Sequence, residues 1–141
     1  MVALRLAIAA VLLAALGCSS SSKPIDVRAG DTCAHCRMAV SDARVAGQIA
    51  APGEEPLFYD DIGCLARALE AGKPLDFAYV ADHRTRQWVR ARNAVYTYVP
   101  VIETPMGSNL MAHANDDSRK ADPSSSGGKT MTAAQVFPHA H

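Results

Sequence analysis

Two thiols, an imidazole and a thioether fall within Cys33-Ala34-His35-Cys36-Arg37-Met38. Thiolate and thioether sulfurs are polarisable and favour a soft cation such as Cu(I) over hard ions. Cys-x-x-Cys alone is open to a redox pair, half of a zinc site or a disulfide. A thioether two residues further on is foreign to zinc, which takes thiolate, imidazole and carboxylate, so Met38 moves the reading toward copper. Attachment of a c-type haem needs His directly after the second cysteine. Arg37 stands there and excludes it.

The remaining chemistry-bearing residues are scattered. Cys64 falls in the first turn of an expected helix, where the dipole favours thiolate; free cysteine is also among the most buried residue types, and a buried structural role is expected of it. Asp60 and Asp61 read as cap and turn residues, because carboxylates suit harder cations. Met106 sits in the loop Thr104-Pro105-Met106-Gly107, and Met111 and His113 follow it as auxiliary donors. His35 reads as a solvated turn histidine, and His139 and His141 as a solvated tail. Arg84, Arg86, Arg90 and Arg92 surround Trp88. Their plain reading is a charged strand face, and their functional one a docking surface for an acidic partner with Trp88 as anchor.

Positioning these side chains falls to short elements. Residues 45–51 and 56–59 are strand-like runs separated by the turn signal Pro52-Gly53, and they predict a hairpin. Asp60-Asp61 then caps a helix whose apolar residues Ile62, Leu65, Ala66 and Leu69 repeat with helical spacing. Gly72 and Pro74 end it, and a third strand follows over 77–80. A second unit is expected from Asp82, with strands over 87–89 and 94–101 and a helix over 109–121. The Pro/Ser/Gly-rich stretch 122–128 reads as mobile, and 129–137 as a strand turning into a short helix. Both halves thus carry the order strand, strand, helix.

The chain has 141 residues, enough for one compact domain or two very small ones. Fourteen basic residues balance fourteen acidic ones, so charge gives no case for nucleic acid or an anionic surface. Residues 1–17 carry Arg5 and an apolar run, Leu6 to Leu16, too short for a permanent span of about 20 residues, which marks a secretory signal. Ala15-Leu16-Gly17-Cys18 resembles the lipobox of bacterial lipoproteins, which predicts a lipid on Cys18. Four serines and Lys23-Pro24 then form a polar tether, and Ser19 beside Cys18 resembles lipoproteins sorted to the outer membrane. Outside the cytoplasm the three remaining cysteines are an odd number for a purely structural disulfide framework.

Read together, Cys33-x-x-Cys36-x-Met38, Phe58-Tyr59-Asp60-Asp61-Ile62-Gly63-Cys64 and Thr104-Pro105-Met106-Gly107 resemble the NosL family, lipid-anchored copper proteins encoded with nitrous-oxide reductase. The resemblance runs from about Asp31 to Ala121. It implies an α+β fold of two small strand-strand-helix-strand modules, related to an organomercurial lyase. It also implies a Cu(I) ligand set of Cys36, Met38 and Met106. Cys33 is a fourth ligand, an exchange ligand, or the disulfide partner of Cys36 when copper is absent.

The expected organisation is a lipoprotein signal peptide over 1–17, a lipidated N-terminus and Ser-rich tether over 18–30, and a first module over 31–81. A second module over 82–137 carries the Thr-Pro-Met-Gly loop, and 138–141 is a His-containing tail. The expected function is that of a carrier rather than an enzyme: a protein on the periplasmic face of a bacterial membrane, lipid-anchored through Cys18, delivering Cu(I) to a maturation protein or to nitrous-oxide reductase itself. The competing readings are a thiol-disulfide oxidoreductase using Cys33 and Cys36, and a structural zinc module using Cys33, Cys36, Cys64 and a histidine.

Overall fold

Val45 to Ala50 is buried at every position, as fits the interior strand of a sheet. The computed structural model, which describes residues 23–140, shows this. The expected signal peptide, the lipid site Cys18 and His141 lie outside the described residues. Strand β1 (Gly47–Ile49) pairs antiparallel with β2 (Leu57–Tyr59) on one side, forming the predicted hairpin. Helix α1 (Ile62–Glu70) follows, N-capped by Asp61, whose side chain accepts from the Gly63 amide. It buries Ile62, Cys64, Leu65, Ala68 and Leu69. The helix can lie this close to β1 because residue 47 is glycine: a Cβ there would meet Leu65 Cδ2 at 2.9 Å.

Strand β3 (Ala78–Ala81) returns on the other side of β1, and β4 (Trp88–Arg90) pairs with β3, giving the sheet order β2-β1-β3-β4. The strand expected over 87–89 as part of the second unit joins β3 in the first sheet instead. Tyr79, Val80 and Ala81 face Arg90, Val89 and Trp88 across the ladder, and a 3-10 turn, Ala91–Asn93, carries the chain into the second sheet.

There β5 (Val95–Tyr98) is central, flanked by β6 (Leu110–His113) and β7 (Lys129–Met131). Helix α2 (Asp116–Lys120) lies between β6 and β7 in sequence and α3 (Ala133–Val136) follows β7. The expected helix over 109–121 is therefore corrected. Its first half pairs with β5 in register Tyr96 to Ala112, and the helix starts only after the Asn115 cap. The stretch read as mobile holds a 3-10 turn, Pro123–Ser125, with Asp122 and Ser125 buried.

The strand-strand-helix-strand order holds in both sheets, and the class is α+β with two antiparallel sheets and short helices. In each sheet the first strand is central and the second and third flank it. One hydrophobic cluster, including Ile49, Tyr59, Leu65, Val80, Tyr96, Ala112 and Phe137, runs through both sheets. Asp82 pairs with Ala112 across the seam. Among the described residues no helix is long and apolar enough to cross a membrane.

Candidate metal centre

The Cys33 to Met38 segment is a tight loop closed by backbone bonds. The Cys33 amide donates to the Met38 carbonyl at 2.8 Å, the Arg37 amide to the Cys33 carbonyl at 3.0 Å, and Thr32 pairs with Ala39. Closing so short a loop forces Arg37 to φ 69°, a left-handed conformation uncommon for a side-chain-bearing residue. The loop is fastened to β2 by the Ala34 amide, which donates to the Phe58 carbonyl at 2.8 Å. Cys33 is thereby driven into the core while Cys36 stays half-buried.

Beneath the loop lie two residues from the β2–α1 junction. Cys33, Cys36, Asp60 and Cys64 bring one ligand atom each to within 4.8 Å of one another. The Cys36 amide donates to Cys33 Sγ at 3.5 Å, and the Cys36 thiol to Asp60 Oδ1 at 3.4 Å. Asp60 is fully buried and its Oδ2 has no hydrogen-bond partner. An unpaired oxygen of a buried carboxylate is costly, and beside three thiols it is a donor available to a cation. Asp60 is thus more than a turn residue, and Cys64, buried as expected, belongs to the thiol cluster.

Burial pushes the Cys36 thiol up, and hydrogen bonds with Cys33 and Asp60 add to it against a lowering contribution from the Met38 amide. Burial pushes Cys64 up as well, followed by the proximity of Cys33. The dipole of α1 therefore loses to desolvation, and at neutral pH these two thiols hold their protons until a metal displaces them.

Met106 reaches this region from far along the chain. Its amide donates to Asp61 Oδ2 at 2.9 Å, and the Thr104 hydroxyl donates to the same oxygen at 2.7 Å. Asp61 so caps α1 with one oxygen and holds the Thr-Pro-Met-Gly loop with the other. Residue 63 must be small for this approach, since a Cβ there would lie 3.0 Å from Ser108 Cβ. Met106, His35 and Cys64 line one cavity of about 370 Å³ with Gly63, Arg67, Gly107 and Ser108. Met106 is 47% exposed and Met38 54%, so both thioethers stand where an incoming group can reach them.

The structure brings Cys33 and Cys36 together with Cys64 and Asp60, sets Met106 on a cavity shared with Cys64, and leaves Met38 on the outer face of the loop. Met111 and His113 are fully buried in β6, where His113 faces His83 and Asp122 rather than a sulfur donor. His139 lines a separate groove between α1 and the C-terminal segment. The arginines near Trp88 are largely engaged in the fold. Arg90 lies 4.9 Å over the Tyr79 ring and donates to the Asp76 carbonyl, Arg92 pairs with Asp76, and Arg84 reaches Ser118. Of the four, Arg90 lies on β4, Arg84 and Arg86 in the segment before it and Arg92 in the 3-10 turn after it.

Sequence reasoning missed Asp60, whose signal was a second aspartate where one suffices for the cap. It missed His83 and Asp122 entirely, because a single histidine after a strand and an aspartate before Pro-Ser-Ser carry no spacing to read. No curated protein and no solved structure is significantly similar to the chain. A family model, NosL, matches residues 24–140, and the chain accordingly belongs to the NosL family.

Proposed function

We propose that the chain is a periplasmic, membrane-anchored carrier that holds Cu(I) at Cys36, Met106 and Met38, with Cys33 in support, and passes it to the machinery that matures nitrous-oxide reductase. Membership of the NosL family implies a copper-related role in the nitrous-oxide reductase cluster. The observation that carries the finer reading is the docking of the Met106 loop on Asp61, which sets a thioether from the second half of the chain on a cavity shared with Cys64. Soft donors in such a mixed set bind Cu(I) without enclosing it in thiolates alone.

Transfer proceeds by ligand exchange. Loading at Cys36 displaces the thiol proton, which the carboxylate of Asp60, already in contact with that thiol, is placed to accept. The exposed thioethers leave first as a partner's His, Met or Cys enters, and the Cys36 sulfur leaves last, taking a proton back. A lipid on Cys18 confines the search for that partner to a membrane surface. A thiol-disulfide oxidoreductase needs an accessible thiolate of lowered pKa; here Cys33 is buried and the Cys36 thiol is pushed up, which disfavours that reading.

One observation favours a second reading, a structural zinc module: the clustering of three thiols with a carboxylate. Anaerobic titration of the reduced chain with Cu(I), with Zn(II) as competitor, separates the two. The carrier binds about one Cu(I), resists zinc, and weakens on Cys36→Ser and Met106→Leu. If Met106→Leu changes nothing, Zn(II) displaces copper and Cys64→Ser unfolds the chain, the zinc reading replaces it.

A further inference from the structure

The second sheet carries a polar cluster that neither the carrier reading nor the sulfur ligands use. His83 follows β3, His113 is the last residue of β6, and Asp122 follows α2. All three are at least nine-tenths buried, at 7%, 0% and 5% exposure. Asp122 Oδ2 is 2.6 Å from His83 Nδ1 and 3.0 Å from His113 Nε2, while Asp122 Oδ1 accepts from the Ser124 amide at 2.9 Å. The two rings meet edge to face with centroids 6.2 Å apart. The three ligand atoms lie within 4.8 Å of one another.

We propose that His83 Nδ1, His113 Nε2 and Asp122 Oδ2 form a second metal site in this chain, selective for a borderline divalent first-row cation of the Zn(II) or Cu(II) kind. Two imidazoles and a carboxylate are the donor set those ions take, and one that soft Cu(I) does not prefer. Donors on a tetrahedral ion with bonds near 2.0–2.1 Å sit about 3.3 Å apart. The nitrogen-to-oxygen separations here are 2.6 and 3.0 Å, so an ion enters by spreading the donors by about 0.3 to 0.7 Å and displacing the ring protons they share.

Three side chains leave a fourth position, which solvent fills from the side where His83 and Asp122 retain slight exposure. The ligands are already gathered by backbone that the fold fixes: the His83 amide donates to the Ala112 carbonyl at 2.8 Å, and Ser125 ties the Asp122 turn to Arg119. The cost falls on His113 Nδ1, which has no partner and must carry the ring proton once Nε2 is occupied; it makes this site weaker than the thiol cluster. The location matches the sheet symmetry. Tyr59 and His113 hold corresponding register positions opposite Gly47 and Val95, so each sheet carries a ligand cluster at the same end of its second strand.

Co(II), which reports its donors by colour, is the probe, added to the reduced full chain in mild detergent. Cys36→Ser and Met106→Leu weaken the sulfur site independently of this one, and any cobalt retained by Cys33 and Cys64 is recognised by its sulfur-to-cobalt charge-transfer band. A histidine-carboxylate site gives ligand-field bands without a sulfur-to-cobalt charge-transfer band. Those bands are expected to persist in the Cys36→Ser, Met106→Leu double variant, to bleach on adding Zn(II), and to vanish in His83→Gln and Asp122→Asn. Their absence from the double variant, or their survival in His83→Gln, overturns the proposal, as does their loss in His139→Gln, which marks the tail as the binder. Should His83→Gln fail to fold, histidine-selective NMR of the unaltered chain decides. Zn(II) must move the ring signals of His83 and His113 and leave that of His139 in place.

Discussion

Cys36 is where burial and access meet. Of the cysteines in the described residues, Cys33 and Cys64 are buried, and Cys36 alone is half-open. Its thiol lies above the ordinary value through burial first and through its bonds to Cys33 and Asp60. A raised thiol pKa means the proton is present across the neutral range, so a metal must displace it. Cu(I) affinity is therefore expected to fall as pH is lowered, by about tenfold per pH unit for each proton displaced, in competition titrations between about pH 6 and pH 8. In Cys36→Ser that dependence flattens and affinity drops by at least about 100-fold, a scale on which even outer-shell partners of a ligand act. The Cys-x-x-Cys-x-Met string was legible because soft ligands at short spacing have few other uses. Asp60 and Cys64 were not, since a buried cysteine and a cap-adjacent aspartate look the same with or without a metal.

Helix α1 and the loop before β6 form one unit, because Asp61 holds both. Its carboxylate accepts from the Gly63 amide at 2.6 Å, the Thr104 hydroxyl at 2.7 Å and the Met106 amide at 2.9 Å. Burial raises its pKa, yet hydrogen bonds from Ser108, Thr104, Gly63 and Met106 outweigh burial and hold it below the usual carboxylate range. Stability from a depressed carboxyl is complete above its unfolded value and lost as pH falls through the folded one. Acid should thus release the Met106 loop. Asp61→Ala removes a helix cap, worth about 1 kcal/mol, and strands buried donors at about 1–3 kcal/mol. Urea denaturation should show a loss of about 2–4 kcal/mol in total, together with weaker Cu(I) binding despite intact sulfur donors. The cap and the apolar stripe of α1 were readable in the sequence. Strand β6 was not: Leu110, Met111 and Ala112 are good helix formers, and only pairing with β5, a partner known from the fold, makes them a strand.

Across the whole molecule the two sheets act as one body through Asp82. Its carboxylate accepts from the Ala114 amide and the Ser118 hydroxyl, both at 2.7 Å, and from the Arg84 and Thr85 amides at 3.0 and 2.8 Å. Since the hydrophobic cluster is continuous between the sheets, they are expected to unfold together. Asp82→Ala should cost about 2–4 kcal/mol, and fluorescence of Trp88, on the first sheet, should report the same transition as far-ultraviolet circular dichroism. Two separate transitions would mean two independent units. The matching order of elements in the two halves was visible in the sequence, whereas the join between them was not, because Asp82 gathers partners from Arg84 to Ser118 that no local pattern announces. The central claim concerns sulfur donors from both halves meeting on one copper ion. Selenium-edge X-ray absorption of the selenomethionine-labelled, Cu(I)-loaded chain tests it most directly. The account predicts selenium-to-copper scattering that drops in Met106→Leu and disappears with the copper in Cys36→Ser. Scattering that is absent, or unchanged by Met106→Leu, would contradict it.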